Sequence, residues 1–164
     1  MAFDAFANFG DIKGECTDKN HKDWVMITSF SHGITQPASV TQKTSGGRTA
    51  EAVQHSEFQI EKMVDAATPK LYEAACKGTH IPKVTIECWR AGGDPVKYFE
   101  VEMKEVLISG VTANGNPKGD HGFPTEVVSL TYGAIQWTYT KQKPDGTAGG
   151  NIAAKWNVAQ GAAA

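Results

Sequence analysis

The chain has 164 residues, of which 40% are hydrophobic and 21% are charged, with 16 basic and 18 acidic side chains. These are the proportions of a single globular domain, and they exclude an intrinsically disordered chain. The net charge of −2 leaves no cationic excess for binding nucleic acid, and no apolar run approaches the about 20 residues of a membrane-spanning helix, so we expect neither nucleic-acid binding nor membrane insertion.

The N-terminal segment contains neither a basic leader nor a continuous apolar stretch. We therefore expect no signal peptide, a cytoplasmic location after synthesis, and later export only by another route. Within this segment, residues 3–9 are mostly apolar and predict a short first strand.

Residues 24–34 follow a polar loop and predict a long alternating strand. Its even positions hold the bulky side chains Trp24, Met26, Phe30 and Ile34. Since successive side chains point to opposite faces of a strand, we expect the bulky face to pack in the core. The odd positions, which include Ser29 and Ser31, then form a smoother face that another molecule can approach closely.

A candidate loop and a second strand come next. Residues 36–50 are rich in Ser, Thr and Gly and predict a loop that is long for a compact domain; long ordered loops often have a function. Residues 56–64 predict a strand with Phe58, Ile60 and Lys62 on one face.

One segment, residues 65–78, predicts a helix of about three turns. Thr68 is suited to the N-cap, Pro69 to the first helical position and Gly78 to the C-terminal end. The apolar side chains are small and form a narrow stripe for packing on a sheet: Leu71, Ala74, Ala75 and Cys76.

The remaining strands are long and interrupted. Residues 83–111 predict an antiparallel hairpin around a Gly- and Pro-containing connection. The apolar positions of its second strand change parity at Lys104 and Glu105, and those of residues 126–140 change parity at Gly133. A change of phase by one residue indicates a β-bulge, and two long kinked strands favour a barrel or a rolled sandwich over a flat sheet.

The C-terminal region predicts one more strand, over residues 151–158, where apolar side chains alternate. Residues 159–164 are small and of low complexity, so we expect a disordered tail. With no repeat and no linker composition, residues 1–164 are predicted to form a single domain.

Residues able to support catalysis or bind a metal are dispersed. The five histidines lack the spacing of a metal site: His21, His32, His55, His80 and His121. The glycine clusters lack the features of a phosphate loop, no G-x-S-x-G elbow occurs, and the three cysteines form no C-x-x-C pair and are expected to be reduced. We therefore predict no catalytic, metal-binding or cofactor-binding residue, no cofactor, and a structural or binding role rather than an enzyme.

Several collinear segments together resemble the haemolysin co-regulated protein (Hcp) family, which forms the inner tube of the bacterial type VI secretion system. The matching segments are Asp11-Ile-Lys-Gly-Glu15 with Asp18 and His21, Thr68-Pro-Lys-Leu71 with Gly78-Thr-His-Ile-Pro82, Arg90-Ala-Gly-Gly93 with Tyr98-Phe99, and Glu126-Val-Val-Ser-Leu130 through Trp137-x-Tyr139 to Asp145-Gly146. They extend over nearly the whole chain.

The resemblance implies a mainly β fold of two antiparallel sheets rolled into a barrel, with one short α-helix at the side. It also implies homohexameric rings that stack into a tube, a central channel that holds and protects small secreted effectors, and sheath and spike proteins as partners. Such a protein is cytoplasmic before the machine fires and is then secreted with the tube.

Two sets of residues are candidates for these contacts. We expect Ser29 and Ser31 to face the channel and bind effectors. If the loop of residues 36–50 reaches the next ring, as the family's extended loop does, its stacking contacts are polar, and the candidates are Thr41, Lys43, Ser45 and Arg48.

Two other interpretations are compatible with the residues. One is a phage-like tail tube protein, which shares this architecture by resemblance. The other, from a different class, is a small monomeric β-barrel enzyme or ligand-binding module.

Overall fold

The computed structural model describes residues 3–39, 49–90, 95–119 and 122–164, which form a mainly antiparallel β structure with one short helix. The elements in chain order are β1 (Phe3–Asn8), β2 (Val25–Ile27), β3 (Ser29–Ser31), β4 (Ile34–Thr35), β5 (Ala38–Ser39), β6 (Thr49–Ala50), β7 (Gln54–His55), β8 (Phe58–Met63), α1 (Thr68–Lys77), β9 (Ile81–Arg90), β10 (Lys97–Asn114), β11 (Thr125–Thr131), β12 (Ala134–Gln142) and β13 (Ala148–Asn157). The helix is too short and too polar to span a membrane, and no other helix occurs in the described ranges.

Two sheets share strand β10. One runs in the order β2-β1-β9-β10-β12-β13, and the other in the order β10-β11-β8-β3. Because β2 and β3 are separated only by Thr28, the chain itself joins the far ends of the two sheets. The Thr28 amide donates to the Glu61 carbonyl oxygen at 2.8 Å, so the connection is held against β8. The predicted fold of two antiparallel sheets rolled around one core, with a helix at the side, is confirmed.

Strand β10 changes sheet in the middle, as its change of apolar parity predicted. Its first half pairs with β12 from Phe99 to Lys104, and its second half pairs with β11 from Leu107 onward. The buried positions shift from Val101 and Met103 to Val106 and Ile108 across this point. Glu105 adopts a positive φ of 52°, which bends the strand toward the second sheet. The break between β11 and β12 lies opposite, at Tyr132 and Gly133.

The core is apolar and continuous between the two sheets. Side chains from both sheets reach it, among them Ile86 and Met103 from the first sheet and Ile60 and Leu130 from the second, each completely buried or nearly so. Helix α1 closes one side by burying Leu71 and Ala74. Burial of about 1.5–3 kcal/mol per large aliphatic side chain makes this core the main source of stability.

The prediction for residues 24–34 is wrong in two respects. The segment forms three short strands rather than one long strand, and the bulky face is not the core face in its first part. Val25 and Ile27 are buried, whereas Met26 is 59% exposed and Ile34 is 47% exposed. The physical reason is the bend at Thr28: β2 pairs with β1 in one sheet and β3 pairs with β8 in the other, so the inward parity changes between them.

The helix begins at Thr68 and ends in a left-handed Gly78, with Pro69 in the first turn, as predicted. The assignment of Thr68 as the cap is wrong, because Ala67 occupies that position and no side chain caps the helix. The Thr68 hydroxyl donates instead to Glu126 Oε1 at 2.7 Å. Cys76, predicted to pack on the sheet, is exposed.

Lys62 points into the core face of β8, as its alternation with Phe58 and Ile60 predicted. Its ammonium group is completely buried and lies 2.6 Å from Glu126 Oε1 and 2.7 Å from Asp65 Oδ1. Lys62 and Glu126 both have side chains that are 0% exposed, so their charges stabilise each other without solvent. This buried ion pair joins β8, β11 and the start of the helix.

The loop between β1 and β2 is held by His21, which is 2% exposed. Its ring nitrogens lie 2.6 Å from Asp18 Oδ1 and 2.9 Å from Glu87 Oε2, and the ring stacks on Phe6. Gly14 packs so closely against this loop that a Cβ atom would lie 2.4 Å from the Trp24 carbonyl oxygen. Steric crowding therefore explains the glycine in Asp11-Ile-Lys-Gly-Glu15, one of the segments that resemble the Hcp family.

Part of the segment predicted as a loop, residues 36–50, is a two-stranded ribbon. Strand β4 pairs with β7, and further out β5 pairs with β6. Residues 40–48 lie outside the described residues. At the other end of the chain, the Asn157 amide donates to the Ala162 carbonyl oxygen at 2.8 Å. Disorder of residues 159–164 stays a prediction, as does the single domain over residues 1–164.

Candidate functional site

The outer face of the second sheet is polar but mostly uncharged, and it contains Ser29 and Ser31. Ser31 lies opposite Gln59 in β8, and Gln59 lies opposite Ser129 in β11. The Ser29 hydroxyl donates to the Glu61 carboxylate at 3.0 Å, and the Gln59 amide donates to the Ser129 hydroxyl at 3.3 Å. Both predicted serines are exposed. The structure thus places both serines on one polar face together with Gln59, Glu61 and Ser129.

The outer face of the first sheet is charged instead. Glu102 pairs with Lys83 at 3.4 Å and with Lys104 at 3.7 Å, and Glu100 pairs with Lys97. These carboxylates have basic neighbours on adjacent strands or along the same strand. Their arrangement is that of a solvated ion-pair network, and it differs chemically from the serine face of the second sheet.

An apolar groove of about 350 Å³ lies where β2, the end of β8 and Phe123, just before β11, approach each other. Its exposed apolar side chains are Met26, Met63, Val64 and Phe123, the last of which is 68% exposed. Two carboxylates, Glu15 and Asp65, line it as well. Exposed methionine and phenylalanine side chains grouped in a concave surface are typical of a protein contact.

A second exposed apolar surface lies at the opposite edge of the first sheet. Tyr139 in β12 and Ile152 in β13 are directly opposed residues of the antiparallel pair, so their side chains share one face. They are 42% and 57% exposed. Lys141, also exposed, lies two residues further along β12. Strand β13 pairs with no other strand than β12 in the described part of the chain, so its other edge is free apart from the bridge between Asn157 and Ala162.

The predicted stacking residues Thr41, Lys43, Ser45 and Arg48 lie outside the described residues, and their role stays a prediction. The described ends of that segment form β5 and β6, which extend the ribbon begun by the flanking strands β4 and β7.

Two histidines and a tyrosine meet at the base of the ribbon. Tyr132 Oη lies 2.6 Å from His32 Nε2 and 2.9 Å from His55 Nδ1. Burial lowers the pKa of His32, and a positive charge on His55 would lower it further; burial also lowers the pKa of His55. The pKa of Tyr132 is raised to about 12 by burial, so the phenol stays protonated near neutral pH.

The other polar groups form no reactive constellation. In the described ranges, no three His, Cys, Asp or Glu side chains lie together as metal ligands would. The three cysteines are free thiols, and burial raises the pKa of Cys88 to about 11, which makes this thiol a poor nucleophile. Hydrogen bonds from His21 and Trp89 and the charge of Lys97 lower the pKa of Glu87 despite its burial, so this carboxylate is a stable acceptor.

Sequence reasoning missed the groove and the histidine cluster. The groove was missed because Met26 was assigned to the core, and its exposure depends on the sheet change at Thr28. The cluster was missed because His32 and Tyr132 are separated by 100 positions in the sequence. The one feature of the sequence that could have indicated the cluster is that His32 and His55 lie on either side of the predicted loop of residues 36–50.

Comparisons of this chain with known protein families, sequences and structures agree with one another. A family model described as "Type VI secretion system effector, Hcp" matches residues 6–139. Protein hcp1 of Pseudomonas aeruginosa is 36% identical over 98% of this chain and 98% of its own length. The "Major exported protein" of the same species is 29% identical over 79% of this chain and 76% of its own length. A solved structure titled "Structure of a type six secretion system protein" superposes with a TM-score of 0.94 at 26% identity, covering 99% of this chain and 100% of that one.

Proposed function

This chain belongs to the Hcp family of type VI secretion proteins and is a structural subunit of the secretion tube. We propose that six copies close into a ring and that the rings stack around a channel for small effectors. The observation that supports this proposal most directly is the pair of complementary apolar surfaces at opposite edges of one sheet. The groove lies at the β2 edge and the Tyr139–Ile152 pair at the β13 edge.

These two surfaces fit a head-to-tail contact. When one surface of a subunit binds a different surface of the next, the assembly closes into a ring if the rotation is right. The apolar pair of one subunit can enter the groove of its neighbour, and Lys141 near the pair is opposite in charge to Glu15 and Asp65, which line the groove. A stable contact needs to bury about 1,000 Å² in total, which the groove, the pair and their polar surroundings have to supply together.

Native mass spectrometry and negative-stain microscopy of the purified protein test ring formation. We expect a single species of six subunits by mass and a uniform annulus in the images. A monomer that persists at high protein concentration would contradict the proposal, and a ring of another size would correct the subunit number.

The polar face with Ser29 and Ser31 is our candidate for the channel wall. Small uncharged groups let different effectors approach closely without a large desolvation penalty. The charged face of the first sheet is the competing candidate, since lysine and glutamate side chains there would select effectors by charge.

Ser31→Trp is expected to weaken effector retention strongly while rings persist, because an indole on an exposed position projects into the channel without entering the core. The measurement is the amount of effector that copurifies with the ring. Gln136→Trp, on the outer face of the first sheet, is the matched control and should retain the effector. Loss of effector in the control alone would assign the channel wall to the first sheet, and loss of rings in Ser31→Trp with a normal fold would place Ser31 in a subunit contact.

The remaining parts of the assignment follow from the family. We propose polar stacking contacts from Thr41, Lys43, Ser45 and Arg48, and sheath and spike proteins as partners of the tube. The protein stays in the cytoplasm until the machine fires and then leaves the cell with the tube; the similarity to a protein named for export supports this secretion. We assign it no catalytic step.

The match to a type VI secretion family over most of the chain favours this function over a phage-like tail tube protein. Neighbouring genes for a sheath pair and a spike would separate the two. A monomer with an occupied deep pocket would favour an enzyme or a ligand-binding module instead.

A further inference from the structure

The base of the ribbon is attached to the barrel by few hydrogen bonds. Its four strands pair with each other and not with the strands of the two main sheets. Gly33 and Ser56 close its base, with the Ser56 amide donating to the Gly33 carbonyl oxygen at 2.9 Å. In the described part of the chain, the side-chain hydrogen bonds that attach this base to the barrel are those of His32 and His55 with Tyr132.

The hydrogen bonding of this cluster requires at least one neutral imidazole. Tyr132 has one hydroxyl proton, which it donates to one imidazole nitrogen, while its oxygen accepts an N–H from the other imidazole. If both His32 and His55 are protonated, both ring nitrogens become donors and the hydroxyl proton loses its acceptor. The two ring centroids are 6.3 Å apart, so two positive charges would also repel each other.

Among the described residues, the ring neighbours of these histidines offer no compensation for such charges. The groups that face the two imidazoles are Phe58 from β8, Trp137 from β12 and Trp156 from β13, together with Tyr132. All are neutral. Among the described residues, the ion pairs of histidine involve His21 and His80 and not these two rings.

We infer that His32, Tyr132 and His55 form an acid-sensitive latch that holds the ribbon base against the barrel at neutral pH and releases it when the imidazoles are protonated. The latch acts within one subunit, so it goes beyond the ring assembly proposed above and does not depend on it.

The direction of the pH effect follows from the pKa shifts. Both histidines have lowered pKa values in the latched state, whereas in a released ribbon they titrate near the ordinary value of about 6.5. Below this value the released state binds more protons than the latched state, so the latch weakens as the pH falls. Above it, both states are neutral and the latch has its full strength.

Hydrogen exchange of the full-length protein measures the latch directly. Amide protection of the ribbon strands β4 and β7 is compared at about pH 7.5 and about pH 5, after correction for the intrinsic pH dependence of exchange. We expect protection to fall severalfold at the lower pH, because protonation of the imidazoles favours the released ribbon. Protection in β9 and the first half of β10 should stay constant, which separates ribbon release from global unfolding.

The double variant His32→Gln/His55→Asn is the decisive comparison. Glutamine places an amide near the position of imidazole Nε2 and asparagine near that of Nδ1, so both can still bind Tyr132 without titrating. We expect protection that does not depend on pH in this variant, while His80→Gln, at an exposed histidine, keeps the wild-type response. The inference is overturned if wild-type protection does not change between the two pH values, or if the double variant keeps the pH response.

Discussion

Replacing Lys62 with methionine is expected to lower the free energy of unfolding by about 3–5 kcal/mol, the usual cost of removing one partner from a buried ion pair. The reason is that the Glu126 carboxyl group then lacks its counter-charge in a site with no solvent, with the Thr68 hydroxyl as its remaining donor at 2.7 Å. Glu126 Oε2 already lacks a hydrogen-bond partner among the described residues. Urea unfolding at one fixed subunit concentration measures the change, because assembly itself adds to apparent stability.

The double variant Lys62→Met/Glu126→Leu tests the mechanism. It removes both charges of the completely buried pair, and Asp65, whose side chain is 14% exposed, keeps a hydrogen bond from the Ala67 amide at 2.9 Å, so no completely buried charge is left without a partner. We expect the double variant to be clearly more stable than Lys62→Met. A double variant that is no more stable than the single one would mean that Lys62 acts through packing and not through its charge.

Lys83→Met is the matched control for the loss of a lysine. Its side chain is 56% exposed and lies 3.4 Å from Glu102, so we expect a change of less than about 1 kcal/mol. A loss as large as that of Lys62→Met would contradict the role given to burial.

Met26→Glu and Ile152→Glu are each expected to convert the ring to monomers under conditions where the wild-type protein is fully assembled. Each variant places a carboxylate in an apolar contact, and in the groove the new charge also lies near Glu15 and Asp65. A cost of about 3 kcal/mol per contact corresponds to more than a hundredfold weaker binding. Native mass spectrometry gives the subunit number, and circular dichroism checks that the fold is unchanged, as expected for positions that are 59% and 57% exposed.

Mixing the two variants distinguishes a head-to-tail contact from other arrangements. Met26→Glu keeps an intact apolar pair and Ile152→Glu keeps an intact groove, so one good contact can form between the two variants. We therefore expect a one-to-one heterodimer that does not grow into a ring. Continued monomers in the mixture, or intact hexamers of either single variant, would show that the two surfaces do not bind each other; Met26→Leu should assemble normally.

Much of the barrel could be predicted from patterns within short segments of the sequence. The change of phase near Lys104 and Glu105 was visible because buried side chains flank it closely along one strand, and the structure places a sheet change there. The alternation of side chains in residues 56–64 likewise predicted that Lys62 lies on the core face of its strand. The position of the helix followed from Pro69 and Gly78, which act through the backbone of their own segment.

The failures occurred where a distant segment decides the local geometry. The parity of residues 24–34 depends on the bend at Thr28, which the carbonyl group of Glu61 holds. Thr68 was predicted to cap its helix, but Glu126 binds its hydroxyl from another strand. Neither partner could be identified from the residues next to these positions.

The sequence by itself determined the fold class, the main strand and helix positions and the family, since strand periodicity, glycine and proline positions and collinear motifs are properties of short segments. Only the tertiary structure decided which apolar side chains stay exposed, where Lys62 finds its counter-charges and how His32 and His55 meet Tyr132. The reason is that these features depend on contacts between residues tens of positions apart, and a rolled sheet creates those contacts only when its strands are paired in register.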